Sequence, residues 1–171
     1  MKLTKEEALK KIEELRSYVS GLDGNDEWVK IDYSVIPKEV FDRYGAKPFE
    51  IMKRKMRRKD GTVWNDISWY DAKDEAKKLG HRLPSIQEQL VLLDWYKHEK
   101  GDKASIHDKE FLGIEELSYD EEVYLEWVDG PIVTTRGCLW IVGGSAGVGS
   151  LSLNNTPGRT NYYTLGFRCA R

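Results

Sequence analysis

The chain has 171 residues, 33% of them charged, and a net charge of -2 at pH 7. That length suits one domain with a proper core and is marginal for two. The near-balance of charge excludes wholesale binding to nucleic acid or to an anionic membrane surface.

The N-terminus, MKLTKEEALKK, opens on a capping box at Thr4-Lys5-Glu6-Glu7. The Thr hydroxyl can serve the Glu7 amide, and Glu7 can reach back. Ala8, Ile12, Leu15 and Val19 follow at helical spacing, and Gly21 and Gly24 end the pattern. This predicts a helix packed on the domain with a solvated Lys/Glu face. The stretch lacks the apolar run of a secretory signal. No window of about 18 apolar residues occurs, so no membrane insertion and a cytoplasmic location are expected.

Residues 25–48 read as short strands and turns punctuated by Pro37 and Pro48. "FEIMKRKMRRKDGTVW" then predicts a hairpin, with Phe49, Ile51, Met56 and Val63 apolar and Asp60-Gly61 at the turn. Its run KRKMRRK has no interleaved aromatics and alternates like an exposed strand face, so it is not read as a phosphate patch.

Ser68 caps a predicted helix, WYDAKDEAKKLG, with Ala72, Ala76 and Leu79 as its buried stripe and Gly80 as its stop. His81-Arg82-Leu83-Pro84 leads to a second capping box, Ser85-Ile86-Gln87-Glu88. The helix that follows runs to about Glu99 and is expected to bury Ile86, Leu90, Leu93 and Tyr96. Residues 101–122 are loop-like and acidic, and "VYLEWVDG" reads as a strand ending in a turn at Asp129-Gly130. No repeat or linker breaks the chain. One α+β domain over 1–171 is expected.

Several chemistries find no support in the residues. His81, His98 and His107 are scattered, without HExxH, and read as surface positions. The stretch Gly143-Gly144-Ser145-Ala146-Gly147-Val148-Gly149 lacks the Lys-Ser/Thr of a phosphate loop. Trp64-Asn65-Asp66 copies a tripeptide of calcium-dependent lectins, but it precedes the second helix with no Glu-Pro-Asn partner. No metal and no cofactor are expected. Cys138 and Cys169 could pair or stay reduced, and their spacing fits no common zinc motif.

The end of the chain is different. Between Cys138 and Leu165 the only charged residue is Arg159, and Gly, Ser, Thr, Asn, Tyr and isolated aliphatics fill the rest.

"ISWYDAKDEAKKLGHRLPSIQEQL" resembles the two-helix segment of the formylglycine-generating-enzyme-like (sulfatase-modifying factor) branch of the C-type lectin fold. The match lies at Trp69, Ala72, Gly80, Arg82, Leu83, Pro84 and Ser85. "LEWVDG" resembles that family's Trp-Glu-Trp-Val strand. Arg136-Gly137, Trp140 and the closing Leu165-Gly166-Phe167-Arg168 resemble its Arg-Gly-Gly-x-Trp…Gly-Phe-Arg frame. The resemblance covers about residues 48–171. It implies a C-type lectin-type domain with an added N-terminal helix: residues 1–47 as helix and strands, 48–135 as scaffold, and 136–171 as the functional segment.

The branch contains copper-dependent sulfatase-activating oxidases, whose two cysteines would fall near Val142 and Gly147 here. Neither residue can ligate a metal or act as a nucleophile. The resemblance is closest to the variable proteins of diversity-generating retroelements. There a C-terminal segment is rewritten at template adenines, which leaves Lys, Glu, Gln, Met and Trp unreachable from Asn codons. Residues 138–165 contain no Lys, Glu, Gln or Met and one Trp, Trp140. The implied function is ligand binding and receptor recognition without catalysis. The expected partner is a macromolecule, a protein in the first place and not a nucleic acid. Ile141, Val142, Leu151, Leu153, Asn155, Tyr162, Tyr163 and Thr164 are the expected ligand-facing positions, with Leu139 and Asn161 as secondary ones. Arg136, Gly137, Trp140, Gly166, Phe167 and Arg168 are the expected scaffold anchors. The alternatives are a formylglycine-generating-type oxidase homologue and a structural member of the fold with no diversified site.

Overall fold

The computed structural model describes residues 27–58, 60–105, 107–117, 125–130, 134–137, 151–152 and 165–171. The predicted helix at residues 4–20 lies outside them. Strand β1 (Trp28–Ile31) pairs antiparallel with β2 (Phe49–Met52), Trp28 opposite Met52 and Ile31 opposite Phe49. Helices α1 (Lys38–Tyr44), α2 (Trp69–Lys78) and α3 (Ile86–Lys100) follow β1 and β2 in the order β1, α1, β2, α2, α3. A second sheet has the order β5-β4-β3-β6, from β3 (Leu125–Val128), β4 (Thr134–Gly137), β5 (Leu151–Ser152) and β6 (Leu165–Gly166). The described residues are thus mixed α+β.

Helix α1 was not expected, because residues 25–48 read as strands and turns. Pro37 precedes it with φ -55, already suited to a helix start. Val40, Phe41 and Tyr44 then fall on one face, and Val40 and Phe41 are buried. Gly45 closes the helix at φ +65, where the Ala46 amide reaches the Phe41 carbonyl at 3.0 Å.

The predicted hairpin is shorter than expected. Regular strand stops at Met52; the turn is flanked by the Arg57–Val63 bridge and by a Trp64 N–H to Met56 O bond at 2.7 Å, and Gly61 N–H donates to Arg58 O at 2.9 Å. The basic run is therefore not an exposed strand face. Lys55 is 1% exposed and Met56 is buried beside it.

Ser68 and Ser85 cap their helices as predicted, and Ser85 with Glu88 completes the capping box. Ala72 and Ala76 are fully buried, but Leu79 is 44% exposed. The helix ends at Lys78, so Leu79 sits at the cap and does not continue the stripe. In α3 the buried residues are Glu88, Gln89, Val91, Leu92 and Tyr96, while Ile86, Leu90 and Leu93 are half-buried. The stripe is rotated because Glu88 is held inward by the Arg82 guanidinium and the Ser85 amide. A carboxylate with those donors can be buried at lower cost than one without.

Strand β2 divides the core. Phe49 and Ile51 join Ile31, Ile36, Phe41, Val91, Tyr96 and Ile114 on one side. Met52 joins Met56, Ile67, Ala72, Ala76, Leu83, Trp127, Phe167 and Cys169 on the other. Neighbouring strand residues point to opposite faces, so one short strand serves two clusters.

Candidate functional site: the frame around the uncharged segment

Residues 167–171 run beside β2 and are paired on both flanks. Met52 N–H donates to Cys169 O at 3.0 Å, and Glu50 and Arg171 exchange backbone bonds at 2.9 and 3.0 Å. Met56 N–H, further along the same flank, donates to Phe167 O at 2.8 Å, and on the other flank Arg82 and Ala170 exchange bonds at 3.1 and 2.7 Å. Phe167 is buried in the second cluster with Trp127, whose indole N–H donates to Ile67 O at 2.8 Å.

Arg168 is fully buried, yet each of its donors is used. Its Nε and Nη2 hold the two Glu126 oxygens at 2.8 Å each. Nη1 donates to Met52 O at 3.0 Å and Lys53 O at 2.8 Å, and Nη2 also donates to Glu115 O at 2.9 Å. One side chain therefore ties the C-terminus to β2, to β3 and to the 109–117 loop.

The register of the second sheet fixes where the segment 138–164, whose one charged residue is Arg159, leaves and returns. Leu125 of β3 is opposite Gly137 of β4 on one side and opposite Leu165 of β6 on the other. The residues bracketing 138–164 are thus two strand spacings apart, roughly 10 Å, at one end of β3. Within the segment, Leu151–Ser152 return as β5 on the outer edge, with Leu151 opposite Arg136.

Of the predicted anchors, Gly166, Phe167 and Arg168 are buried, and Arg136 and Gly137 lie in β4. Of the predicted ligand-facing residues, Leu151 lies in β5. Ile141, Val142, Leu153, Asn155, Tyr162, Tyr163 and Thr164 lie outside the described residues, as do Leu139, Trp140 and Asn161. Sequence reasoning assigned no role to Glu126. No local signal points to its role, because its partner Arg168 lies 42 residues downstream.

The basic run is spent internally. Lys53 bridges Glu27 at 2.9 Å and Glu115 at 3.0 Å, Arg54 holds Glu115 at 2.7 Å, and Arg57 pairs with Glu116. Arg58 donates to Asn65 O at 2.7 Å. The Arg54 and Lys53 partners hold the Glu115 carboxyl below the usual range. His81 packs its ring 4.8 Å from Trp28, and His98 stacks on Trp95 at 4.5 Å. Among the described residues no three His, Cys, Asp or Glu side chains group as a metal site would. Also among them, no helix is long and apolar enough to cross a membrane.

Cys169 is a free, buried thiol, pushed up to about 12 by that burial. Cys138 lies outside the described residues. No protein-family model and no curated protein matches the chain. The described residues thus form a mixed α+β fold in which residues 166–170 are buried in the core and the strand Thr134–Gly137 lies across β3 from β6.

Proposed function

We propose that the chain is a ligand-binding module of C-type lectin type, in the formylglycine-generating-enzyme-like branch, and that residues 138–164 are its displayed, diversified segment. It acts by adhesion and not by turnover, without metal or cofactor, and its ligand is a macromolecule, a protein in the first place. One observation carries the reading: both flanks of the uncharged segment pair with the same residue, Leu125. The C-terminal flank is locked by a buried, fully bonded Arg168. Side chains can be exchanged freely only where the backbone is held from elsewhere. The segments that resemble the family also meet in space. Trp127 packs with Ala72, Leu83 and Phe167, Arg168 pairs with Glu126, and Asp129 N–H donates to Pro84 O at 2.8 Å.

In this reading Ile141, Val142, Leu151, Leu153, Asn155, Tyr162, Tyr163 and Thr164 face the ligand. Tyr supplies broad amphipathic contact at low entropic cost, and Gly, Ser and Asn adapt around it. The test is a set of chains substituted at several of these positions at once, with Trp140 kept. Melting temperatures within a few degrees of the parent support display. A collapse like that of Phe167→Ala would place those side chains in the core and end the reading. At the gene level, a near-copy of the coding stretch for 138–165 differing at Asn codons, beside a reverse transcriptase gene, is expected. Stoichiometric copper bound at Cys138, with thiol-oxidase turnover, would favour the oxidase instead.

A further inference from the structure

Residues 109–117 form an acidic strap over the basic run. Phe111 and Ile114 exchange backbone bonds at 3.0 and 2.9 Å around Leu112 and Gly113, both at positive φ. Glu116 is left-handed as well, at φ 59. Leu and Glu rarely adopt that conformation, and they keep it where the surroundings over-determine it. Here the surroundings are of two kinds: Phe111, Ile114 and Leu117 are buried in the first cluster with Leu112 packed on it, and cations hold the carboxylates. Lys53 and Arg54 both hold Glu115, and Arg57 holds Glu116. The Glu116 carboxylate also accepts the Lys55 amide at 2.9 Å, and its carbonyl accepts from Lys55 Nζ.

The backbone of Glu115 lies between this run and the C-terminal anchor. Its N–H donates to Lys53 O at 2.8 Å, and its carbonyl accepts from Arg168 Nη2 at 2.9 Å. We infer that the strap is an electrostatic latch: residues 109–117 and 167–171 open and close as one unit, and ionic strength tunes that opening. Salt screens the two layers differently. The Lys53, Arg54 and Glu115 side chains are 31%, 47% and 28% exposed, within reach of counterions. Arg168 and Glu126 are 0% and 4% exposed and are shielded from them. A lifted strap deprives a buried guanidinium of an acceptor, so the anchor is driven to open with it. That the latch sets how firmly one end of the 138–164 segment is held rests on the display reading; the latch itself does not.

The test is hydrogen exchange read residue by residue by NMR. The unaltered chain is compared in low salt and at about 1 M NaCl, and with Glu115→Gln/Glu116→Gln. Exchange at Glu115 is expected to rise about fivefold. Met52 and Met56, whose amides bond to Cys169 and Phe167, should rise with it. Val91 and Leu92 of α3 should keep their protection. If Glu115 speeds up while Met52 and Met56 do not, the strap is independent and the inference fails. It fails equally if α3 speeds up in step, since that is global unfolding. Should the double variant not fold, the salt series decides alone. The readout needs no ligand, so its failure leaves display standing, and a failed display test leaves the latch standing.

Discussion

Arg168 and Glu126 meet in a two-pronged pair, 2.8 Å at both contacts, on the dry side of a sheet. They are 42 residues apart in sequence. The remaining Arg168 donors end on three main-chain carbonyls. A buried pair of this kind need not be more stabilising than an apolar substitute, but halving it is costly. Glu126→Ala or Arg168→Ala should therefore cost about 3–5 kcal/mol in urea unfolding. Arg168→Lys should also fail to rescue, because a point ammonium cannot reproduce the planar fork. A loss under about 1 kcal/mol for Arg168→Ala would mean the anchor is not what holds the C-terminus.

The end of α2 at Lys78 and the exposure of Leu79 give a paired prediction. Ala76 is fully buried in the cluster that holds Trp127 and Phe167, and a close-packed interior leaves little room for a larger side chain. Ala76→Leu should destabilise by about 1–3 kcal/mol. Leu79→Ser, three residues on, should change stability by less than about 0.5 kcal/mol, as surface substitutions do. Thermal melts of both variants check the assignment. Reversed magnitudes would return Leu79 to the core.

Acid should weaken the strap through Glu115. Glu115 is held below its ordinary 4.5 by Arg54 first and Lys53 second. A depressed carboxyl contributes stability that is present above its unfolded value. That contribution is lost as pH falls through the folded value. The expected outcome is a decline in stability below about pH 4.5 that is shallower in Glu115→Gln. Melting temperature against pH for both chains measures it; identical acid limbs would remove Glu115 from the account.

Legibility followed the range of the interaction. Both serine caps, the Gly80 stop and the Leu125–Val128 strand were readable, because each depends on residues within a few positions. Helix α1 was overlooked although Pro37 and Gly45 bracket it, since two prolines nearby suggested turns. The buried stripe of α3 was misread for a reason that lies outside the helix. Arg82, six residues before Glu88, makes that carboxylate a core residue. The basic run was misjudged the same way, because its partners Glu115 and Glu116 are about 60 positions downstream. Nothing local in the sequence says that Gly137 and Leu165 share Leu125.

Cys169 offers a chemical reading of that frame. Its thiol is pushed up to about 12 and faces the Met52 side of the core. Burial therefore keeps the sulfur in its unreactive thiol form near neutral pH. Its own N–H is engaged with Met52 Sδ at 3.2 Å, so exposing the sulfur requires the whole strand to lift. In a Cys138→Ser chain, a disulfide reagent should therefore leave Cys169 unmodified on the timescale of native handling and react fully in urea. Labelling below the unfolding midpoint would report the opening of residues 167–171 directly. Adding Glu115→Gln/Glu116→Gln should accelerate it without shifting exchange in α3. Reaction within seconds in the unaltered native background would mean that residues 167–171 are not locked, and the proposed display of residues 138–164 would then lack one of its two fixed ends.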